Sequence, residues 1–78
     1  MKNLLQFILE NLIDKDSFEI EEHIQENGFS ELTAIIDPKN MGIVIGKEGK
    51  VIKAIRALLR VKATLEHSAF TLSVTEKS

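Results

Sequence analysis

The chain has 78 residues, of which 44% are hydrophobic and 28% charged, with a formal net charge of −2 at pH 7. This length allows one small domain, residues 1–78, near the lower limit for a self-sufficient hydrophobic core. The absence of cysteine excludes disulfides and thiolate metal sites, which fits a cytoplasmic protein. The first apolar run is broken by polar residues such as Gln6 and Glu10, so neither a signal peptide nor a membrane span is predicted.

Residues 3–13 predict a first helix. Asn3 is a candidate N-cap because Gln6 follows three residues later, at the spacing of a capping box. A polar segment, residues 14–17, ends this helix. The apolar residues recur at helical intervals and form one core-facing stripe: Leu4, Leu5, Ile8, Leu9, Leu12 and Ile13.

A β-hairpin is predicted next. In its first strand the apolar residues Phe18, Ile20 and Ile24 share one face, and Glu22 interrupts that face, which indicates a bend or an edge strand. Asn27-Gly28 is a strong turn signal because both residues tolerate positive φ. The apolar positions of the second strand are Leu32, Ala34 and Ile36.

Two helices and a strand complete the chain. Asp37 can cap a short helix over residues 38–45, whose first residue is proline. A longer helix runs from residue 49 or 50 to Lys62, residues 61–67 form a connection, and residues 69–75 alternate as the last strand. The order helix, strand, strand, helix, helix, strand predicts one α+β domain without repeats or linkers.

The segment between the last two helices, Gly46-Lys47-Glu48-Gly49, is called the tip below. Without Cβ atoms, its glycines let a sugar-phosphate backbone come within contact distance. Amides at the start of the following helix can donate to a phosphate, and Lys47 and Lys50 add positive charge there. The alternative is a tight interhelical turn without a ligand, but such a turn has no need of two lysines at its apex.

Two other glycine-rich motifs that bind nucleotides are excluded because the residues they require are absent. A P-loop needs a longer spacing than that between Gly42 and Gly46, and a hydroxyl residue at the position of Glu48. A dinucleotide fingerprint needs glycine at Val44. No arrangement of Ser, His and acid supports catalysis, and His23 and His67 lie apart from ligand-spaced acids, so no enzyme activity, metal or cofactor is predicted.

Positive charge is concentrated in one part of the chain. Residues 1–37 contain nine acids and two lysines, a net charge of −7, whereas residues 38–62 contain seven basic residues and Glu48, a net charge of +6. At about 100° per residue the helix after the tip carries its basic side chains opposite a predicted core stripe of Val51, Ile52, Ile55, Leu58 and Leu59. These basic side chains, called the basic face below, are Lys50, Lys53, Arg56 and Arg60.

Residues 45–52, Ile-Gly-Lys-Glu-Gly-Lys-Val-Ile, preceded by Asp37-Pro-Lys-Asn-Met-Gly42, resemble the core of a KH domain. Over nearly its full length the chain is similar to the small bacterial single-KH RNA-binding proteins of the KhpA family. The resemblance implies a type II KH domain, with a three-stranded sheet packed against three helices.

The resemblance also implies how the tip works, because KH loops clamp the backbone of about four nucleotides. Gly46 and Gly49 then allow backbone approach while Lys47 and Lys50 meet phosphates, supported by Lys53 and Arg56. Bases lie on an apolar groove to which Ile43 and Ile45 contribute. Glu48, the acid at the tip, either points away from phosphate or limits the affinity.

The sequence therefore predicts a protein that binds single-stranded RNA weakly and with little sequence preference, and that needs neither a membrane nor a small-molecule substrate. The resemblance implies that the protein acts as an RNA chaperone or post-transcriptional regulator, self-associates, and pairs with a larger KH-containing partner of the KhpB (Jag) type. The alternative is an assembly adaptor for protein or ribosomal partners, with RNA contact secondary.

Overall fold

The fold is described by a computed structural model that covers residues 1–78. The elements follow the predicted order: α1 (Lys2–Glu10), β1 (Phe18–Ile24), β2 (Ser30–Ile36), α2 (Pro38–Ile45), α3 (Lys50–Leu65) and β3 (Phe70–Glu76). Short 3₁₀ turns at Lys15–Ser17 and Lys47–Gly49 precede β1 and α3. None of the three α-helices combines the length and the apolar character needed to cross a lipid bilayer.

The sheet has the strand order β1-β2-β3. β1 and β2 form the antiparallel hairpin, whereas β2 and β3 are parallel and are joined by the crossover through α2 and α3. Parallel neighbours need such a crossover because a tight turn reverses the direction of the chain and can join only antiparallel strands. The arrangement is the α+β fold of a type II KH domain, as predicted, and β1 lies at an edge of the sheet.

One face of the sheet is covered by the helices and the other is open. The residues Glu19, Glu21 and Glu31 lie on the open face. Side chains of all three strands and all three helices meet on the covered face. Every second side chain of a strand points to this face, and each helix turns its apolar stripe toward it. The fully buried side chains of this core include Leu5, Leu9, Leu32, Ile36, Val44 and Leu59.

The first helix differs from the prediction at both ends. It starts at Lys2 with Met1 at the N-cap and no side-chain cap, so Asn3 lies inside the helix and does not cap it. The side chain of Gln6 instead donates to Glu10, at 2.8 Å. The helix ends at Glu10; beyond it the chain turns, which buries Ile13 but leaves Leu12 partly exposed.

Glu22 faces the covered side of the sheet, which explains why it interrupts the apolar alternation of β1. Its carboxylate lies 3.3 Å from the backbone nitrogen of Lys2 and 3.8 Å from the α-amino group of Met1. A carboxylate at a helix N-terminus is favourable because the first N–H groups have no partner within the helix. Glu22 therefore stabilises the start of α1.

The third helix is three residues longer than predicted and ends at Leu65. Residues 61–65, expected in a connection, are helical. After the helix, the N–H of Ser68 donates to the carbonyl oxygen of Ala63 at 2.9 Å, and His67 adopts a left-handed φ of 54°. The last strand begins and ends one residue later than predicted, at Phe70 and Glu76.

Gly42→Ala is expected to raise the free energy of unfolding by about 0.5–1 kcal/mol, because glycine is a poor helix former. Gly42 lies inside α2, its φ is negative, and an added Cβ meets no atom within 4 Å. Urea denaturation measures the change. The matched control is Gly28→Ala, where there is equal room but φ is +83°, and which should lower stability. Equal effects of the two substitutions would contradict this prediction.

Candidate nucleic-acid interface

The tip is built from backbone conformations that ordinary residues seldom adopt. Gly46 has φ +77° and Gly49 has φ +74°, and between them Glu48 has φ 57°. Two hydrogen bonds hold this turn: the N–H of Gly46 donates to the carbonyl oxygen of Gly42 at 2.9 Å, and that of Gly49 donates to Gly46 at 3.1 Å. The turn projects Lys47 and Glu48 into solvent.

The two glycines of the tip have different structural roles. A Cβ on Gly46 would lie 2.4 Å from the side chain of Val51 and 2.8 Å from its backbone nitrogen. A Cβ on Gly49 would meet only Ile52, at 3.9 Å. Gly46 is therefore required for the tip to fold onto α3, whereas at Gly49 the space is open and only the positive φ favours glycine.

The start of α3 is partly open to an anion, because the N–H of Lys50 donates to the carbonyl oxygen of Lys47 but the N–H groups after it have no side-chain cap. Its N-cap, Gly49, contributes no side-chain hydrogen bond, and no acid follows in the first turn. The first N–H groups of a helix have no partner within the helix and carry a partial positive charge. A phosphate at this point could accept from these amides with Lys47 and Lys50 beside it.

The basic face is exposed, and its charge is not neutralised by neighbours. The three ion pairs of the molecule join Glu22 to the α-amino group of Met1, Lys62 to Glu66 and Lys77 to Glu19. Neither Lys47 nor any residue of the basic face takes part in them. Lys62, at the end of α3, instead pairs with Glu66 at 3.3 Å and stands apart from this face. Lys47, Lys50, Lys53 and Arg60 thus form neither an ion pair nor a side-chain hydrogen bond in the chain.

Arg56 has a second role that the sequence did not indicate. Its Nη2 donates to the carbonyl oxygen of Leu72 in β3, at 3.2 Å. The guanidinium therefore bridges α3 and the edge of the sheet, and its position is restrained in a way that those of the lysines are not.

The three apolar residues before the tip divide between surface and core. Val44 is 1% exposed and belongs to the core, whereas Ile43 is 50% exposed. Ile45 is half-buried against the core. Ile43 and, in part, Ile45 are thus accessible to solvent beside the tip, but none of the pockets of the structure is lined by either residue.

A second feature of α3 was missed at the sequence level. Val51 and Leu58, predicted as core, lie on an apolar stripe that remains open to solvent, with Val51 half-buried. The spacing of this stripe alternates between three and four residues, as along one side of a coiled coil, and this was the available signal. We call this stripe the apolar seam; it consists of Val51, Ala54, Leu58, Val61 and Leu65.

The apolar seam continues onto α1. A groove of about 320 Å³ lies between the two helices, and seven of its eight lining residues are hydrophobic. Phe7, on the α1 side, is 65% exposed, and Leu65, at the end of the seam, is 77% exposed. Contiguous exposed apolar surface on a small domain is typical of an interaction site.

Glu48→Gln is expected to raise RNA affinity about twofold to threefold at low salt. The substitution removes a negative charge between Lys47 and Gly49 while it keeps the size of the side chain, and exposed charge pairs contribute about 0.2–1 kcal/mol. Fluorescence-anisotropy titration measures the change. Glu26→Gln in the hairpin turn, which makes the same charge change, should have little effect; unchanged affinity in both variants would show that Glu48 faces away from the RNA.

Comparison with known proteins points in the same direction as the geometry. Residues 2–74 match the family described as "KhpA/KhpB, KH domain". The chain is 38% identical over 82 aligned residues to the RNA-binding protein KhpA of Chlamydia trachomatis serovar D, with 99% of each chain covered. It is 32% identical over 75 residues to RNA-binding protein KhpA of Clostridium perfringens, with 95% of this chain and 99% of that protein covered. No solved structure matches the chain.

Proposed function

Because this chain belongs to the KhpA/KhpB family of KH domains, we propose that it binds single-stranded RNA with the tip and the basic face. The observation that carries the proposal is the set of cations without ion pairs around the tip, where the space beside Gly49 is open. The backbone amides at the start of α3 and Lys47 meet phosphates, and the lysines of the basic face continue the contact. Ile43 and Ile45 offer an apolar surface to the bases.

Such a grip is largely independent of sequence, because phosphate contacts position a strand without reading its bases. With few phosphate contacts and an overall negative chain, one domain should bind with a Kd on the order of micromolar to tens of micromolar at physiological salt. Weak, tolerant binding of this kind suits an RNA chaperone or a post-transcriptional regulator.

Salt dependence tests the electrostatic part of the proposal. With Lys47, Lys50 and Lys53 each neutralising a phosphate, log K should fall with log salt with a slope of about −2, at about 0.7 per phosphate for single strands. Lys53→Gln should reduce the slope by about 0.7, since it removes one contact. Lys62→Gln, at a cation already paired with Glu66, should leave it unchanged. A slope near zero would favour an apolar contact instead.

The apolar seam supports self-association, and we assign it to contact with a second copy of the chain. A three-four spacing of apolar residues matches the packing of one helix against another. In a symmetric dimer the same residues face each other across a two-fold axis, so each seam would cover the other. Two RNA grips would then act on one strand, which raises the effective affinity. A larger KH-containing protein of the KhpB (Jag) type is a second partner that this face could take.

Leu58→Glu is expected to dissociate such a dimer, because it places a charge at the centre of the seam, where water would be excluded. Analytical ultracentrifugation should then show a monomer at concentrations where the unmodified protein is dimeric. Ser73→Glu adds the same charge to the open face of the sheet and should leave the dimer intact. Circular dichroism confirms that both variants fold. If the unmodified protein is a monomer, the apolar seam does not contact a second copy of the chain, and a different partner covers it.

The alternative function, an assembly adaptor with RNA contact secondary, is supported by the same apolar seam. The two functions differ in their response to salt, because apolar association is not weakened as lysine–phosphate contacts are. Size-exclusion chromatography before and after nuclease treatment separates them: loss of a large species on nuclease treatment favours RNA, and persistence favours the adaptor.

A further inference from the structure

A pocket of about 280 Å³ lies between α3 and β3, away from the tip. Arg60 of the basic face is ten residues after Lys50, or about 15 Å along the helix at 1.5 Å per residue. A strand that leaves the tip along the basic face therefore passes this pocket. The residues that line it are Arg56, Arg60, Phe70, Thr71 and Leu72.

The side chains of this pocket offer more hydrogen-bond donors than acceptors. The two arginines can only donate, and a guanidinium presents its donors as a planar fork. Arg56 is held in place by its bond to the carbonyl oxygen of Leu72, at 3.2 Å, which also occupies that acceptor. Arg60 is exposed and has no ion pair. Thr71 adds a hydroxyl that can donate or accept, so donors outnumber acceptors among the side chains of the pocket.

Phe70 adds a flat apolar surface to these donors. Its side chain is half-buried, packed against the core on one side and exposed to the pocket on the other. Aromatic side chains in single-strand binding proteins stack on bases, and arginine adds a stacking or cation–π contribution. A ligand that satisfies the whole pocket is planar and presents two acceptors on one edge.

We propose that this pocket binds one guanine base of the RNA, so that a largely tolerant grip has a preference at one position. This inference rests on the proposed RNA binding. Guanine presents the O6 and N7 acceptors side by side, which is the edge that an arginine fork contacts. Adenine and cytosine place an amino donor on the corresponding edge, where the arginines cannot accept. Uracil has a single acceptor there.

The test compares fluorescently labelled oligo-U octamers with the same octamers carrying one guanosine, placed at successive positions. The expected result is about tenfold tighter binding for one placement of guanosine, since a bidentate arginine contact discriminates bases by about 1–3 kcal/mol. Replacing that guanosine by 7-deazaguanosine, which lacks the N7 acceptor, should remove most of the gain. Inosine, which keeps O6 and N7, should retain it.

Variants then assign the preference to the pocket. Arg60→Lys keeps the charge but loses the fork, so the ratio of guanosine to oligo-U affinity should fall to near one. Phe70→Leu should lower the same ratio by removal of the stacking surface, with thermal unfolding as the check on folding. Lys53→Gln is the matched control: it should weaken both RNAs equally and leave the ratio unchanged.

The outcomes distinguish this inference from the function on which it rests. If the octamers bind with equal affinity at every guanosine position, or if Arg60→Lys keeps the full ratio, the guanine pocket is wrong and the grip at the tip stands. If the unmodified protein binds none of the octamers, both the pocket and the proposed RNA binding are wrong.

Discussion

A protein carrying both Lys47→Asp and Glu48→Asp is expected to lose RNA binding, with Kd raised about tenfold or more at physiological salt. The change removes one phosphate contact and places two carboxylates at the apex, where they repel the strand. Both glycines remain, so the turn keeps its shape. Aspartate tolerates the left-handed region at position 48 better than glutamate does, and folding should therefore persist. Fluorescence anisotropy measures binding, and circular dichroism measures folding.

The control for this variant is Lys15→Asp, which makes the same charge reversal in an exposed 3₁₀ turn outside the basic part of the chain. It should weaken binding only slightly, through the overall charge of the molecule. If the tip variant and this control bind RNA equally well while both remain folded, the tip does not grip RNA, and the adaptor function takes precedence.

Gly46→Ala is expected to lower the free energy of unfolding by about 3 kcal/mol, which combines a steric clash with an unfavourable backbone conformation. The added Cβ would lie 2.4 Å from Val51 Cγ2 and 2.8 Å from the backbone nitrogen of Val51, while φ is +77°. Because the backbone of α3 cannot yield as a flexible side chain can, the tip must shift. A domain of this size has a total stability of only several kcal/mol, so the loss is large.

Gly49→Ala is the matched control, because its φ of +74° is almost the same and its Cβ has room. It should cost about 1–2 kcal/mol, from the left-handed conformation alone. Guanidinium or urea denaturation of the two variants gives both values. Equal destabilisation by the two substitutions would show that the contact with Val51 relaxes freely and that Gly46 has no packing role.

The difference between these glycines changes how the motif is interpreted. Gly46 is needed for the fold whether or not RNA is bound, so its presence supports RNA binding less strongly than the lysines beside it do. Lys47, Lys50, Lys53 and Arg60 form no ion pair within the chain, whereas Arg56 donates a hydrogen bond to the carbonyl oxygen of Leu72. We therefore propose that these cations, more than the glycines, would contact RNA at the tip.

Charge is also divided between two layers of the molecule. The basic face lies on the helical layer, while Glu19, Glu21 and Glu31 lie on the open face of the sheet. A negative net charge is therefore compatible with the proposed RNA binding, because RNA bound at the basic face would approach the helical layer and be repelled from the sheet. Three of the nine acids of residues 1–37 lie on that open face.

Much of the fold follows from local patterns in the sequence. The turn at Asn27-Gly28, the cap and proline that open α2, and the alternation of the strands each depend on a few neighbouring residues, and all are found where expected. The turn at the tip could also be predicted, because the positive φ angles of Gly46 and Gly49 are a local property that glycine favours. Segregation of the charges along the chain is likewise a matter of sequence alone.

Features that depend on distant contacts required the tertiary structure. The helical wheel of α3 holds two apolar stripes, and only the placement of α1 and the sheet decides that Ile52, Ile55 and Leu59 are buried while the apolar seam is left open. In the sequence, Arg56 has the same helical position as the neighbouring lysines of the basic face. Its hydrogen bond to the carbonyl oxygen of Leu72, 16 residues later in the chain, depends on the position of β3 in the folded protein. The spacing of residues determines which faces a helix can have, but burial depends on the area that other elements cover, and that is settled only when the whole chain has folded.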